Sequence, residues 1–465
     1  MSAYANHNML VIKKENNKLL YGIDLFFKKS VSLVLGICLR VLPTKLYLII
    51  SKLEQHSSAL HNAVGLTFFN AIGGVLLFVT QVKLANEMGA SVYGVYSYWL
   101  AIGEVGAMFV RYGRNKTMTR DLIQISHHRS QLISNTFILG WCNLLLFIVI
   151  ILSCHKLLHV DLSLAFLLLI VSPCLISLDF QPVYESHNLM SWHSIYYLLQ
   201  KGIFLLFVWG IMLLLKRIFL LEVGIALFVS WVMILFLQYK EIVTQLNIRV
   251  LKSFSFKELT KLYKTNFLIA LSCMFGIAFG PLIRLILNNY VDSKAVGIYS
   301  AGLQIFLMAQ FVLNQIGRVG NPMMAVIGKQ NYNVYQRRIF VKRYLGIMLI
   351  CVIPFFIVLF CFSHWITVSF FTPEYRDLEQ ILPIFACYLL LLSIGVVYTQ
   401  FLISMRKDKV YFLIYILTAL ATIPTALILI PHYGVVGATL ALCVPHGVGC
   451  LCYFFFSRKY LTKKQ

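Results

Sequence analysis

Hydrophobic residues in this chain gather into long, nearly unbroken runs separated by short polar gaps. Beyond residue 60, twelve runs can be marked: 61–82, 93–112, 132–154, 160–181, 196–215 and 218–238, then 266–288, 295–317, 344–363, 380–404, 410–430 and 435–456. Most approach the ~20 residues that a helix needs to cross a hydrocarbon core of about 30 Å. The short alternating segments of a membrane β-barrel are missing. The pattern predicts an all-α polytopic membrane protein with about twelve transmembrane helices. A polar stretch, 239–265, parts the runs into six and six. That gives six-helix lobes at 61–240 and 266–457, a basic connector at 241–265 and a basic tail at 458–465. Residues 1–60 differ. Their first half is polar and carries Lys13, Lys14, Lys18, Lys28 and Lys29, and their apolar part, 31–50, is broken by Arg40, Pro43 and Lys45. A spanning helix there would hold Arg40 near its centre, at about 2.5–3.5 kcal/mol on insertion scales. The segment is expected to lie in the membrane interface with its cations at the headgroups.

One stretch of the first lobe returns in the second. KLANEMGASVYGVYSYWLAIGEVGAMFVRYGRNK, at 83–116, joins a short polar turn to an apolar helix that holds one carboxylate, Glu104, and ends in Arg111, Arg114 and Lys116. Its GVYSYWLAI at 94–102 becomes GIYSAGLQI at 297–305, with five identities in nine positions. Both copies open the second run of their lobe. The echo predicts two lobes related by a parallel repeat about an axis along the membrane normal, enclosing a central cavity.

Charge fixes the orientation. The net charge is +23, yet only 12% of residues are charged, about half the share in a soluble protein. One alternating set of gaps holds 32 Lys and Arg and the other holds six, while Lys201 and Arg284 lie inside runs. That asymmetry places both termini in the cytoplasm and the basic gaps against anionic lipid. It argues against a nucleic-acid partner. The eleven cysteines are scattered, mostly inside runs and without a CxxC pair. They are expected to act as small apolar residues, not as metal ligands or disulfides. No HExxH or Walker A motif occurs, so neither a metal nor another cofactor is expected, and the chain does not hydrolyse ATP.

Few groups are left to carry chemistry. Glu104 sits at mid-membrane depth, where a carboxylate is expensive and marks a candidate site for substrate contact or ion coupling. The other reading is a carboxyl group that hydrogen-bonds helices together. Arg284 lies four residues inside the outer end of the seventh run. A guanidinium there either snorkels to the interface or meets phosphate oxygens in a cavity. Lys201 and Lys83, at opposite ends of their runs, are further candidate phosphate contacts. Asn70 and Gln81 share one face of the first run, Gln310 and Asn314 one face of the eighth, and Thr418, Thr422 and Thr425 form a stripe on the eleventh. Such faces either line a wet cavity or bond neighbouring helices. Asp179 and Glu185 read as solvated helix-end groups. The clusters Arg111, Arg114, Lys116, Arg120 and Arg337, Arg338, Lys342, Arg343 read as topology signals or as a landing place for an anionic headgroup.

The ordered motifs resemble a known family. VYGVYSYWLAI is similar to a second-helix signature, an aromatic-Gly-x-Tyr turn before an apolar run, and AVGIYSAGLQI is its counterpart. SHWITVSFFTPEY at 363–375 resembles the loop between the ninth and tenth helices. IPHYGVVGATLALCVPHG at 430–447 resembles the closing motif. Together they resemble the O-antigen (Wzx-type) repeat-unit translocases of the multidrug/oligosaccharidyl-lipid/polysaccharide exporter superfamily. The resemblance implies a transporter, not an enzyme, in a bacterial inner membrane. It implies movement of an undecaprenyl-pyrophosphate-linked oligosaccharide from the cytoplasmic to the periplasmic leaflet by alternating access. Membrane lipids and other polysaccharide-assembly membrane proteins are the further partners it suggests. Two other readings stay open. A cation–drug antiporter of the same superfamily would use Glu104. A membrane-embedded polysaccharide polymerase would need a sizeable outer loop, and these outer loops are short.

Overall fold

The computed structural model describes residues 57–114, 118–119, 121–122, 129–154, 162–187, 189–246, 255–327, 334–405 and 407–462. The interfacial segment expected over 1–60 lies almost wholly outside these, as do residues 247–254 of the connector and the last three of the tail. The described residues form helices α1 (Ser57–Arg111), α2 (Arg129–Cys154), α3 (Leu164–Ile176), α4 (Gln181–Ser186), α5 (Met190–Leu215), α6 (Leu220–Leu246) and α7 (Phe256–Met274). A 3₁₀ turn at Phe275–Phe279 leads to α8 (Pro281–Tyr290), α9 (Ser293–Ile327), α10 (Val334–Cys361) and α11 (Ser363–Phe370). A second 3₁₀ turn, Pro373–Tyr375, precedes α12 (Leu378–Ser404) and α13 (Asp408–Thr462).

Nine helices among the described residues are long and apolar enough to cross a membrane. A bent pair, Phe256–Lys264 with Ile269–Phe279, makes a tenth if its pieces form one span. Two of the nine are too long for a single crossing, at 47 residues in α1 and 53 in α13. Each breaks at a glycine of positive φ, Gly89 at 70° and Gly434 at 53°. Only glycine enters that region without a steric penalty. The first and second hydrophobic runs are therefore two legs of α1, and the eleventh and twelfth are two legs of α13. The seventh run is broken too. The 3₁₀ turn stops α7, Gly280 is non-helical, and Pro281 starts α8 at a position where its missing N–H costs nothing.

Surfaces are inverted relative to a protein in water. Leu206, Leu213 and Leu214 on α5 are 72%, 81% and 84% exposed. An apolar solvent removes the burial drive, so such residues belong against lipid. Inside, α1 packs on α2, α3 and α5, and α6 covers α3 and α5. In the second half of the sequence α12 is the hub, packed on α9, α10 and α13. The two groups of helices meet where α1 runs against α8 and α9.

Several boundaries differ from the sequence pattern. The fourth run ends in turns at residues 177–180, closed by backbone hydrogen bonds, and α4 carries the same candidate span on from Leu164 to Ser186. The polar connector is helical over 241–246 and 256–265, because a membrane helix continues past its apolar part once water can solvate its side chains. The VYGVY segment, expected in a turn, lies inside α1, and the turn itself is at Gly89.

Candidate functional site

The repeated motif forms the contact between the two groups of helices. Gly94 of α1 and Gly297 of α9 face each other, so the backbones approach without side chains between them. A Cβ added at Gly94 would lie 1.6 Å from the Ser293 carbonyl oxygen, and one at Gly297 would lie 2.0 Å from that of Ala90. Small residues permit this approach in membrane helices. Around the crossing Tyr93, Tyr96 and Tyr299 are almost fully buried. The Gln81 amide, from the other leg of α1, donates to the Tyr96 hydroxyl at 3.1 Å and accepts from the Tyr93 hydroxyl at 3.1 Å.

At the Gly89 bend the segment between α11 and α12 clasps α1. Asn86 donates to the Phe370 carbonyl at 2.7 Å and accepts from the Thr372 N–H at 3.2 Å. Glu374 accepts from the Ala90 N–H at 2.7 Å, capping the second leg of α1 with a carboxylate. The Tyr375 hydroxyl donates to the Ala85 carbonyl at 2.9 Å. Burial pushes that hydroxyl well up from its ordinary range, so it stays a donor.

About four turns along α1 from the bend, the two intramembrane charges meet. The Arg284 guanidinium on α8 pairs with the Glu104 carboxylate on α1 and donates at 3.4 Å to the Ser97 carbonyl. The arginine side chain is 8% exposed and the glutamate 40%, so the pair sits at the edge of open space. A cation in this environment is tolerated only when paired or hydrogen-bonded. The break before α8 makes the pairing possible, because it re-aims the helix that carries Arg284.

Towards the Arg111 end of α1 a cavity of about 490 Å³ opens among α9, α12, α13 and the first 3₁₀ turn. Its walls include Phe279, Asn314, Thr399, Gln400, Tyr415 and His446, and its lining holds no Asp, Glu, Lys or Arg.

A family model described as "Polysaccharide biosynthesis protein" matches residues 59–327, more than half of the chain. The chain belongs to this family. The match begins where the basic N-terminal segment ends, while the motifs at 363–375 and 430–447 lie beyond it. The capsular polysaccharide biosynthesis protein CapF of Staphylococcus aureus is 22% identical over 206 residues, 42% of this chain and 50% of CapF. The chain thus spans about half the length of that relative. Among solved structures, the lipid II flippase MurJ in an inward closed conformation superposes with a TM-score of 0.68 at 14% identity, covering 84% of this chain and 87% of MurJ. An inward-facing multidrug resistance MATE transporter of the MOP superfamily gives 0.65 at 13% identity, covering 85% and 94%. The MATE transporter VcmN of Vibrio cholerae gives 0.62 at 13%, covering 88% and 99%. At these identities the likeness is one of fold: this polysaccharide-biosynthesis family member is a helical membrane protein that shares the fold of MurJ and the MATE transporters.

Within that fold the candidate residues separate. Glu104 and Arg284 come together, and Gln81 joins the tyrosine cluster beside them. Lys83 is half-exposed in a local pair with Glu87 at 2.7 Å. Asn70 is half-buried on the first leg of α1. Lys201 is buried on α5, its Nζ 5.0 Å from the Tyr197 ring centre and 5.3 Å from that of Trp231, within cation–π range. Asn314 lines the neutral cavity, and Gln310 lies one turn back on α9. Other expectations are corrected. Asp179 is not solvated: it is buried, bonded to His193 at 3.0 Å and 3.6 Å from Arg114. Arg114 is more than a topology signal. It donates to the carbonyls of Ser177 and Asp179 at 2.5 and 2.6 Å, tying off the end of α3. Burial pulls its guanidinium down to about 10, against the support of Asp179, which leaves it charged at neutral pH. Thr418, Thr422 and Thr425 bond carbonyls of their own helix four residues back, not neighbouring helices. The glycine crossing was visible as a repeat but not as a contact. The Glu374 clasp had no local signal, since its partners lie 284 positions away.

Proposed function

We propose that this protein is a flippase that moves an undecaprenyl-pyrophosphate-linked oligosaccharide, of the O-antigen repeat-unit kind, from the cytoplasmic to the periplasmic leaflet by alternating access. The observation that carries the reading is the Arg284–Glu104 pair between the two groups of helices. Six-helix lobes at 61–240 and 266–457 would meet there. Counting each leg of α1 and α13 as one crossing, together with the bent pair, matches the twelve runs of the sequence. With the basic gaps in the cytoplasm, the glycine crossing and the Glu374 clasp lie on the periplasmic side and hold it shut. An arriving pyrophosphate competes with Glu104 for the Arg284 guanidinium, which suits phosphate oxygens geometrically. Releasing Glu104 loosens the tie between the lobes, so substrate charge and gate opening are linked. Family membership and the fold of MurJ favour a polymer precursor as cargo. The antiporter reading has Glu104 in its favour, but Arg284 beside it would repel a cationic drug. A polymerase is disfavoured by the segment between α10 and α12, whose polar groups are taken up in the clasp.

The test is reconstitution into proteoliposomes with lipid-linked oligosaccharide extracted from the producing cell. Wild-type protein is expected to expose the lipid to an external probe. Arg284→Gln should lose at least tenfold in rate, Arg284→Lys less, and Glu104→Gln should be slow while still inserting in the membrane. Wild-type rates in Arg284→Gln would exclude the phosphate role. In cells, loss of the protein should leave lipid-linked units on the cytoplasmic side. Unpolymerised units in the periplasm would indicate a polymerase instead.

A further inference from the structure

The cavity in the second half of the chain has an unusual chemistry for a membrane interior. Four aromatic rings, Phe279, Tyr411, Tyr415 and Tyr453, share its wall with the neutral polar groups of Asn314, Thr399, Gln400, Thr418 and His446. Its volume of about 490 Å³ falls within the roughly 300–1,000 Å³ of small-molecule sites. Asn314 is exposed and Thr399 and Tyr415 are half-buried, so the polar groups of this wall face open space, and some are bonded while others are not. The Gln400 amide is fixed, accepting from the Tyr344 hydroxyl at 2.9 Å and donating to the Gly317 carbonyl at 3.1 Å. His446 takes a 2.5 Å hydrogen bond with the Tyr388 hydroxyl and stacks on Phe279 with ring centres 4.0 Å apart. The side chains of Asn314, Thr399 and Tyr415, in contrast, make no hydrogen bond among the described residues. One part of the wall is rigid, and another presents unused donors and acceptors.

We infer that this cavity binds the uncharged sugar rings of the substrate, apart from the pyrophosphate at Arg284; this rests on the reading in the preceding section. Three alternatives fit the lining less well. A phosphate would find no cation, an organic cation would find ring faces but no carboxylate, and an acyl chain would leave Asn314, Thr399 and Tyr415 unpaired. A pyranose satisfies both halves of the wall. Its C–H face lies on aromatic rings, and its hydroxyls pair with amide and hydroxyl groups. The placement also fits a lipid-linked glycan. Phe279 and Arg284 are five residues apart across the break between the 3₁₀ turn and α8, so the sugar wall and the phosphate contact sit on one connected element. The cavity lies at the opposite end of α9 from the clasp, the end that faces the cytoplasm in the proposed orientation, where the substrate is loaded.

The experiment measures binding of two probes to purified full-length protein: the lipid-linked oligosaccharide from the producing cell, and undecaprenyl pyrophosphate without sugar. Wild-type protein is expected to bind the glycosylated lipid at least tenfold more tightly. Asn314→Leu, Thr399→Val and Tyr415→Phe, each checked for an unchanged melting temperature, should lose most of that preference and keep the affinity for the sugar-free lipid. Arg284→Gln should weaken both probes alike. Folded cavity variants that retain the preference would overturn the sugar assignment alone. Failure of the wild type to bind either lipid would overturn the flippase reading, and the sugar site with it.

Discussion

A single missing methyl group decides how closely the two groups of helices approach. At Gly94 a Cβ would fall 1.6 Å from a backbone oxygen that has no rotamer to escape into, and at Gly297 the distance is 2.0 Å. Gly94→Ala and Gly297→Ala must therefore push α1 and α9 apart. Overpacking of this kind costs about 1–3 kcal/mol, and more where backbone is the obstacle. Both variants should lower the melting temperature in detergent by several degrees. Gly210→Ala, at a site with nothing within 4 Å, should leave it nearly unchanged. Equal shifts at all three positions would show that the crossing is not tight. The sequence made these glycines visible as paired members of a repeat. It did not show that each is the other's neighbour, because contact between residues 203 positions apart is a property of packing and not of local pattern. Glu104 and Arg284 were legible for another reason: charge in hydrocarbon is expensive enough to stand out one residue at a time.

At the proposed periplasmic gate, the elements are held by bends and caps. α1 turns at Gly89, and the segment after α11 reaches across to cap its second leg through Glu374. An N-terminal cap contributes about 0.5–2 kcal/mol, enough to bias a gate without locking it. Glu374→Gln keeps an acceptor and should act weakly, whereas Glu374→Ala leaves the Ala90 N–H without its partner and should favour the opened form. Spin labels placed at the exposed positions Ser91 and Asp377 should report a longer or broader distance distribution in Glu374→Ala than in wild type. An unchanged distribution would remove the clasp from the gating scheme. Hydropathy did not anticipate these features. The seventh run reads as a single span but is broken, at the 3₁₀ turn before Gly280. Apolar content sets whether a segment enters lipid, while breaks depend on which neighbours re-satisfy the freed backbone groups.

For the whole molecule, charge and length make the strongest demands. The split of 32 to six basic residues between alternate gaps predicts that both termini and the connector face the cytoplasm. A phosphatase fused after Asp377 should be active in the periplasm, and one fused after Lys407 inactive. A fluorescent protein that folds only in the cytoplasm should shine at the C-terminus. The reverse pattern would invert the proposed direction of loading, with the neutral cavity on the wrong side.

Sequence alone determined that this chain is a helical membrane protein, because only a solvent of hydrocarbon explains so many apolar runs near twenty residues. It also determined a repeated element and the two charges worth watching, and its ordered motifs pointed to the polysaccharide-biosynthesis family. Tertiary structure decided who meets whom: Arg284 with Glu104, Gly94 with Gly297, Glu374 with Ala90, and the neutral groups around the cavity. The reason is physical. Transfer into lipid is a sum over residues and can be read along the chain. A cavity, a cap or an ion pair between distant helices exists only where backbone bends bring separate segments within a few ångströms, and no single segment encodes that distance.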